Sequence, residues 1–294
     1  FDEVSVVVLE QNYRSTQTIL DAANAVIAQN FARKPKDLWT ESGPGEQIVR
    51  FHADDEGDEA AYVARTMKTL RSSGRTWGDM AVFYRTNPQS RVVEEILMRF
   101  GIPYKVVGGT RFYDRREVKD AVAYLRVLTN PLDEVSIKRV LNMPKRGVGD
   151  TSVSRLDEFA RQENISFYEA LRRAEEAGVS GAARRGIESF VAVIEEVSTQ
   201  EEQSPGGLLE AVMEKSGYRA EFESDDSVEA AGRLENLDEL VSSAKEFAKV
   251  DEFLEQVSLV ADSDDLGDDE KVVLMTMHAA KGLEFPVVFI VGVE

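Results

Sequence analysis

Two apolar runs close this chain, KVVLMT at Lys271–Thr276 and PVVFIV at Pro286–Val291, and about 150 residues of helical periodicity separate them from the nearest strand-like segment upstream. Runs this rich in valine belong inside a sheet that is covered on its faces. They have no strand-forming neighbour in sequence except each other. They must therefore rejoin a sheet that begins far upstream, and the helical stretch must be an insertion in that sheet's domain.

The upstream part supplies the sheet. Strands are expected at Val4–Leu9, Ile48–Phe51, Met80–Tyr84 and Tyr104–Val107. Between them lie amphipathic helices at Thr16–Asn30, with Ser15 as N-cap, at Asp58–Ser72, and at Pro88–Phe100, closed by Gly101. Strands separated by helices predict an α/β domain with a parallel sheet covered on both faces. After Gly108–Thr110 the period changes. From Arg115 to about Val260 nearly everything reads as helix, with breaks at Pro131, Pro144–Gly149, Gly178–Gly181, Ser204–Gly207 and Ser224–Ser227. The acidic stretch Asp262–Glu270 reads as a solvated linker. The expected organisation is a split α/β domain, residues 1–107 and 268–294, interrupted by an all-helical insertion at 108–267. The chain stops at Glu294 directly after a core strand, so the sheet is expected to be C-terminally incomplete.

Charge has to be read by region. The net value of -19 argues against a nucleic-acid partner. Residues 1–161, however, carry 24 Lys/Arg against 23 Asp/Glu, and residues 162–270 carry 9 against 29. One segment holds the acidic excess, and the remainder can present basic surfaces. That acidic segment would repel DNA, and its outer face is a candidate protein-contact surface. The chain has no cysteine and two histidines, His52 and His278, which excludes thiolate and His-rich metal sites. No apolar run approaches the roughly 18–20 residues of a membrane span and no leader opens the chain. A soluble cytoplasmic protein is the expectation.

Three stretches carry polar chemistry at strand or helix exits. In VVVLEQNYRS (Val6–Ser15) a valine run delivers Tyr13 and Arg14 side by side just before a helix; alone, Arg14 reads as well as a helix-start residue paired with Glu10. In TMHAAKGLEFPVVFIVG (Thr276–Gly292) a turn carries His278, Lys281 and Glu284 between two strands, where parallel sheets bind ligands. Lys281 beside Gly282 suits a phosphate and Glu284 a ribose hydroxyl, although a tight turn with surface charges fits these residues equally. In KRGVGDTSVSRL, Gly147 and Gly149 flank one apolar residue between two helices. This is the pattern of a helix-hairpin-helix, whose glycines let backbone amides approach a phosphate while Lys145 and Arg146 add charge. A plain helix connector is the alternative.

Taken together, LEQNYRS and TMHAAKGLEFPVVFIVG resemble motifs IV and V of the UvrD/PcrA group of superfamily 1 DNA helicases. AVFYRTNPQSRVVEEIL (Ala81–Leu97), GGTRFYDRREVKDAVAYLR (Gly108–Arg126) and MPKRGVGDTS (Met143–Ser152) fall between them in the family's order. The resemblance covers essentially the whole chain. It implies a second RecA-like domain, 2A, split by a helical domain, 2B. It also implies that Tyr13 stacks on the adenine of ATP, that Arg14 reaches the γ-phosphate, and that Glu284 holds the ribose, with Lys281 and Gly282 beside it. An arginine of that kind is worth about 10³–10⁵ in rate. Arg85, Asn87, Gln89 and Arg91, with Thr276 and His278, would line a single-strand track. From the residues alone, Asn87–Pro88 is an ordinary turn and Arg91 a solvated helix charge. Lys145, Arg146, Gly147, Val148 (isoleucine in the family), Gly149 and Thr151 would meet duplex DNA ahead of a fork.

No G-x-x-x-x-G-K-[ST] occurs in the chain. The resemblance therefore implies that the P-loop and the Mg²⁺ ligands lie in a partner RecA-like domain, 1A, and that the chain alone hydrolyses no ATP. The implied parent is an ATP-dependent 3′–5′ DNA helicase or translocase acting on single-stranded and forked DNA in repair or replication. Two alternatives stand beside it: a non-enzymatic DNA-binding or protein-interaction module, and the helicase part of a recombination helicase-nuclease.

Overall fold

The computed structural model describes residues 7–30, 36–199, 204–261 and 270–293. The chain divides into two compact units, Phe1–Asp55 with Gly282–Glu284, and Glu56–Lys281 with Phe285–Glu294.

The first unit is built around one helix, α1 (Gln17–Ile27). Its N-cap is Thr16, not the expected Ser15, and no side chain caps it. The first helical amides are instead taken by loop carbonyls, Gln17 N to Gly43 O at 2.9 Å and Thr18 N to Pro44 O at 3.1 Å. Gly45, at φ +70°, allows this approach, since a Cβ there would stand 2.4 Å from the Thr16 side chain. Amide side chains tie the returning strand of chain to the helix. Asn24 donates to Leu38 O at 2.9 Å and accepts from Leu38 N at 3.1 Å, and Gln17 Oε1 accepts from Thr40 N at 3.0 Å. Among the described residues of this unit only Leu20 is buried.

Two expected strands are corrected here. Val4–Val6 lie outside the described residues, and Val7–Leu9 and Ile48–Phe51 form no ladder. Among the described residues of this unit, a single parallel bridge joins Gln11 and Trp39 instead. Apolar β-formers predict a strand only where a partner edge exists, and these runs remain exposed.

The second unit begins with α2 (Glu56–Ser72), β1 (Met80–Tyr84), α3 (Ser90–Arg99) and β2 (Tyr104–Val106). Among the described residues nine helices follow: α4 (Arg116–Thr129), α5 (Glu134–Val140), α6 (Asp150–Glu163), α7 (Phe167–Arg172), α8 (Gly181–Ser198), α9 (Pro205–Lys215), α10 (Tyr218–Glu223), α11 (Val228–Lys245) and α12 (Val250–Ala261). The chain returns to the sheet with β3 (Val272–Thr276) and β4 (Val287–Ile290). The order is β2-β3-β1-β4 and every pairing is parallel. The strand that follows the helical insertion thus enters the middle of the sheet. It aligns Ala81 with Val273 on one side and Tyr104 with Val272 on the other.

Alternation along β1 and β3 sorts the sheet's two faces. Met80, Val82, Tyr84, Val272 and Leu274 pack with Val63, Met67, Val93 and Leu97 of α2 and α3. Ala81, Val273 and Met275 form a smaller cluster on the other face, where Val288 and Ile290 stay exposed. In the helical part, α4 is buried nearly all round and contributes Val118, Tyr124 and Leu125 to a core with Phe190, Leu237 and Leu240. The helix starts there follow local chemistry. Asp133, Ser166, Ser204 and Ser227 each accept from the amide three residues on, opening α5, α7, α9 and α11. Of the expected acidic linker, Asp262–Glu270, residues 262–269 lie outside the described residues.

Candidate functional site

The stretch QNYRS forms a turn organised by Asn12. Its Oδ1 accepts from Arg14 N and Ser15 N, both at 2.8 Å. The turn throws Tyr13 outward, 81% exposed, with its hydroxyl donating to Gln11 Oε1 at 2.8 Å. Arg14 does not pair with Glu10, whose carboxylate accepts from Asp37 N at 3.4 Å. Its Nε lies 2.8 Å from Glu284 Oε2, with the two side chains 51% and 70% exposed. Gly282, at φ +89°, makes the reversal that presents Glu284, and Lys281 is exposed on the same turn. An open ring face, a guanidinium and a carboxylate are the groups a purine nucleotide needs: a surface to stack on, a cation for phosphate and an acceptor for hydroxyls. The ion pair is solvent-exposed and weak, about 0–1 kcal/mol, so Arg14 can exchange Glu284 for a phosphate at little cost.

A second group of residues gathers at the carboxyl ends of the strands. Tyr84 and Thr276 are register partners, and the ladder runs on through Met277 N to Tyr84 O at 2.9 Å. The exit of β1, bearing exposed Arg85 and Asn87, therefore lies beside the turn bearing Thr276 and exposed His278. Thr276 Oγ1 accepts from Ala279 N at 3.2 Å and shapes that turn. The loop after β2 joins them: a Cβ on Gly108 would stand 3.3 Å from Ala279 Cβ, and one on Gly109 3.9 Å from Asn87 Oδ1. This third loop was not singled out from sequence as part of a site. Its glycine pair was the available signal.

Two expectations at this edge need correcting. Gln89 builds the loop: its Oε1 accepts from Arg85 N at 2.9 Å and Thr86 N at 3.0 Å. The T-x-x-Q spacing of a capping box, Thr86 to Gln89, announces that use. Arg91 is neither a DNA contact nor a solvated charge. It is 3% exposed and enclosed by carboxylates, with Nε 2.5 Å from Glu239, a terminal nitrogen 3.1 Å from Glu95, and Glu246 at 3.9 Å. Burial works against its charge, but Glu95 and Glu239 outweigh that and hold its pKa above the ordinary arginine value. The helical phase turns Arg91 towards α11 and away from solvent.

The third group is the turn between α5 and α6. Asn142 Oδ1 accepts from Arg146 N at 2.8 Å and Val148 N at 3.2 Å, closing the turn, and Gly147 takes φ +76°. Lys145, Gly147, Gly149 and Thr151 are exposed, and Gly149 is the N-cap of α6 without a side-chain cap. Val148 is the buried anchor, 3% exposed. Arg146 is a correction. Its guanidinium donates to the carbonyls of Leu141 at 3.2 Å, Met143 at 2.8 Å and Ser216 at 3.2 Å, and lies 5.6 Å from the Phe190 ring centre. It satisfies the carbonyls at the end of α5 and is not free for phosphate. Gly186 of α8 lets this happen, since a Cβ there would fall 2.1 Å from Arg146 O.

A four-stranded parallel sheet split by a long helical insertion is the architecture of a RecA-like domain carrying an inserted helical domain. The chain belongs to the UvrD-like helicase C-terminal domain family, whose model matches residues 7–294. It is similar to the ATP-dependent DNA helicase UvrD1 of Mycobacterium tuberculosis, 46% identical over 320 residues, and to the ATP-dependent DNA helicase PcrA of Bacillus subtilis, 44% identical over 309 residues. PcrA of Staphylococcus aureus is 44% identical over 303 residues. In each comparison all of this chain is covered, and it spans 42% of the relative's length. Among the described residues no helix is long and apolar enough to cross a membrane.

Proposed function

We propose that this chain supplies one wall of the ATP cleft, part of the single-strand track and the duplex-facing insertion of an ATP-dependent DNA helicase that moves 3′ to 5′. The observation that carries the reading is the Arg14–Glu284 pair: residues from opposite ends of the chain meet at 2.8 Å, on the same turn system that presents Tyr13. In this reading Tyr13 stacks on the base, Glu284 accepts from the ribose, Lys281 and Gly282 border the phosphates, and Arg14 leaves Glu284 for the γ-phosphate. The nucleotide contributes the phosphoanhydride whose hydrolysis drives movement. The P-loop and the Mg²⁺ ligands come from the facing domain 1A, because the chain contains no G-x-x-x-x-G-K-[ST].

Arg85 and Asn87 with Thr276 and His278, at adjacent strand ends, grip the single-strand backbone without reading sequence. Lys145 and the exposed residues Gly147, Gly149 and Thr151 meet duplex backbone at the start of α6. The domain division 1–107, 108–267 and 268–294 goes with this assignment, as does a cytoplasmic location, and the acidic insertion is where protein partners would bind. The test is ATP hydrolysis by the full-length protein with and without single-stranded DNA. Strong stimulation by DNA is expected, and turnover indifferent to DNA overturns the reading.

A further inference from the structure

The loop that leaves β1 is held from the side by the helical part of the molecule. Arg115 sits where the chain turns from the short helical turn Phe112–Asp114 into α4, and it is 7% exposed. One terminal nitrogen donates to Asn236 Oδ1 on α11 at 2.7 Å. The other donates to the main-chain oxygen of Asn87 at 3.1 Å and to Ser90 Oγ at 2.9 Å, and Nε reaches Thr110 O at 3.4 Å. Asn236 is oriented for this contact, because its amide nitrogen donates to Glu117 Oε1 at 2.6 Å and so turns its oxygen to the guanidinium. Ser90 in turn donates to buried Glu94 at 2.6 Å. Every donor here points into protein. Only a planar guanidinium reaches acceptors on the β1 loop, α3 and α11 at once, which a lysine ammonium cannot.

The consequence falls on Asn87. Gln89 fixes the entrance of the loop through Arg85 N and Thr86 N, and Arg115 fixes Asn87 O. The exposed side chains of Arg85 and Asn87 are thereby presented from a backbone held on both sides. We propose that Arg115 is a positioning residue for single-stranded DNA: it fixes the Arg85–Gln89 loop in its gripping conformation and, through Asn236, makes that grip depend on α11 being docked. This inference rests on the reading of that loop as part of the single-strand track.

The test is steady-state ATP hydrolysis by the full-length protein, titrated with an oligothymidylate, which separates the half-saturating DNA concentration from kcat. In the double variant Arg115→Met/Glu94→Gln the buried Glu94 carboxylate is not left facing a lost cation, and Glu117 keeps its hydrogen bond from Asn236. It should raise the half-saturating concentration about tenfold or more, leaving kcat and the KM for ATP nearly unchanged. Arg115→Lys should recover only part of the loss. Asn236→Ala keeps both charges and should shift the same constant by about threefold, which serves if the double variant does not fold. An unchanged half-saturation in a folded variant, or a loss confined to kcat, means Arg115 is merely structural and overturns the proposal. Arg85→Ala separates the two failures. If it weakens DNA binding while the Arg115 and Asn236 variants do not, only the proposal falls. If Arg85→Ala has no effect, the track assignment falls and takes the proposal with it.

Discussion

The turn at Asn12–Ser15 and the turn at Arg85–Gln89 share a local design. In each, one side-chain amide oxygen accepts from two consecutive backbone N–H groups while an arginine is thrown outward. Behind them the molecule differs. The first turn belongs to a unit in which, among the described residues, only Leu20 is buried, and its arginine meets an exposed carboxylate. The second stands on a packed sheet and is fastened by Ser90, Glu94 and Arg115 through hydrogen bonds of 2.6–3.1 Å. On the proposed function, the group that changes partner is loosely tethered and the surface that holds a shape is built rigid. The arginines divide in the same way: Arg14 and Arg85 are exposed, whereas Arg91, Arg115 and Arg146 are internal fasteners.

The sharpest way to break that division is Arg14→Ala in the full-length protein. DNA-stimulated ATP hydrolysis should fall by about 10³ or more, while equilibrium binding of a fluorescent ATP analogue stays close to normal. Turnover near the natural level would return Arg14 to an ordinary surface charge. On the other side of the comparison, Arg91→Ala should lower unfolding stability by about 3–5 kcal/mol, because Glu95 and Glu239 would be left facing each other without their cation. Denaturant unfolding measures this, and a change below about 1 kcal/mol would place Arg91 among the solvated charges after all.

A pH titration probes the fastener itself. Burial raises the Glu94 pKa above its ordinary 4.5, although Ser90, Arg115 and the Phe112 amide pull the other way. The folded state therefore binds this proton more tightly than the unfolded chain. The stabilisation it contributes is complete below about pH 4.5 and is lost as pH rises through the folded pKa. Glu94→Gln should accordingly gain stability relative to the natural protein as pH is raised from 4.5. Denaturation midpoints across that window check the sign, and the opposite slope would mean that Arg115 outweighs burial.

How much of this was legible in the sequence depended on how local the cause was. β1, α3, β3 and β4 lay where period and punctuation placed them, and so did the long helical insertion. Val7–Leu9 and Ile48–Phe51 misled because an apolar β-forming run says nothing about whether an edge is there to receive it. Arg85 and Arg91 are six residues apart in one motif, yet one is exposed and the other buried. What buries Arg91 is Glu239, whose position on α11 no local pattern reveals. Lys145 and Arg146 are adjacent, and only the carbonyls waiting at the end of α5 decide which of them becomes internal. Arg14 and Glu284 were joined in advance by the family resemblance, since nothing in their spacing joins them.

The smallest expected effect bears most directly on the loose side of the comparison. A double-mutant cycle with Arg14→Ala and Glu284→Gln, read by denaturant unfolding, should give a coupling of about 0.2–1 kcal/mol. Both side chains are more than half exposed, so solvent screens the pair and each pays rotamer entropy to stay in place. Raising the salt concentration should shrink the coupling further, as it does for pairs open to water. The low value matters for function. A phosphate offers Arg14 a charge-assisted and often bidentate partner, and that exchange goes forward only if leaving Glu284 costs less than the phosphate contact returns. A coupling well above 2 kcal/mol would describe a locked pair, and the first turn would then belong with the fasteners.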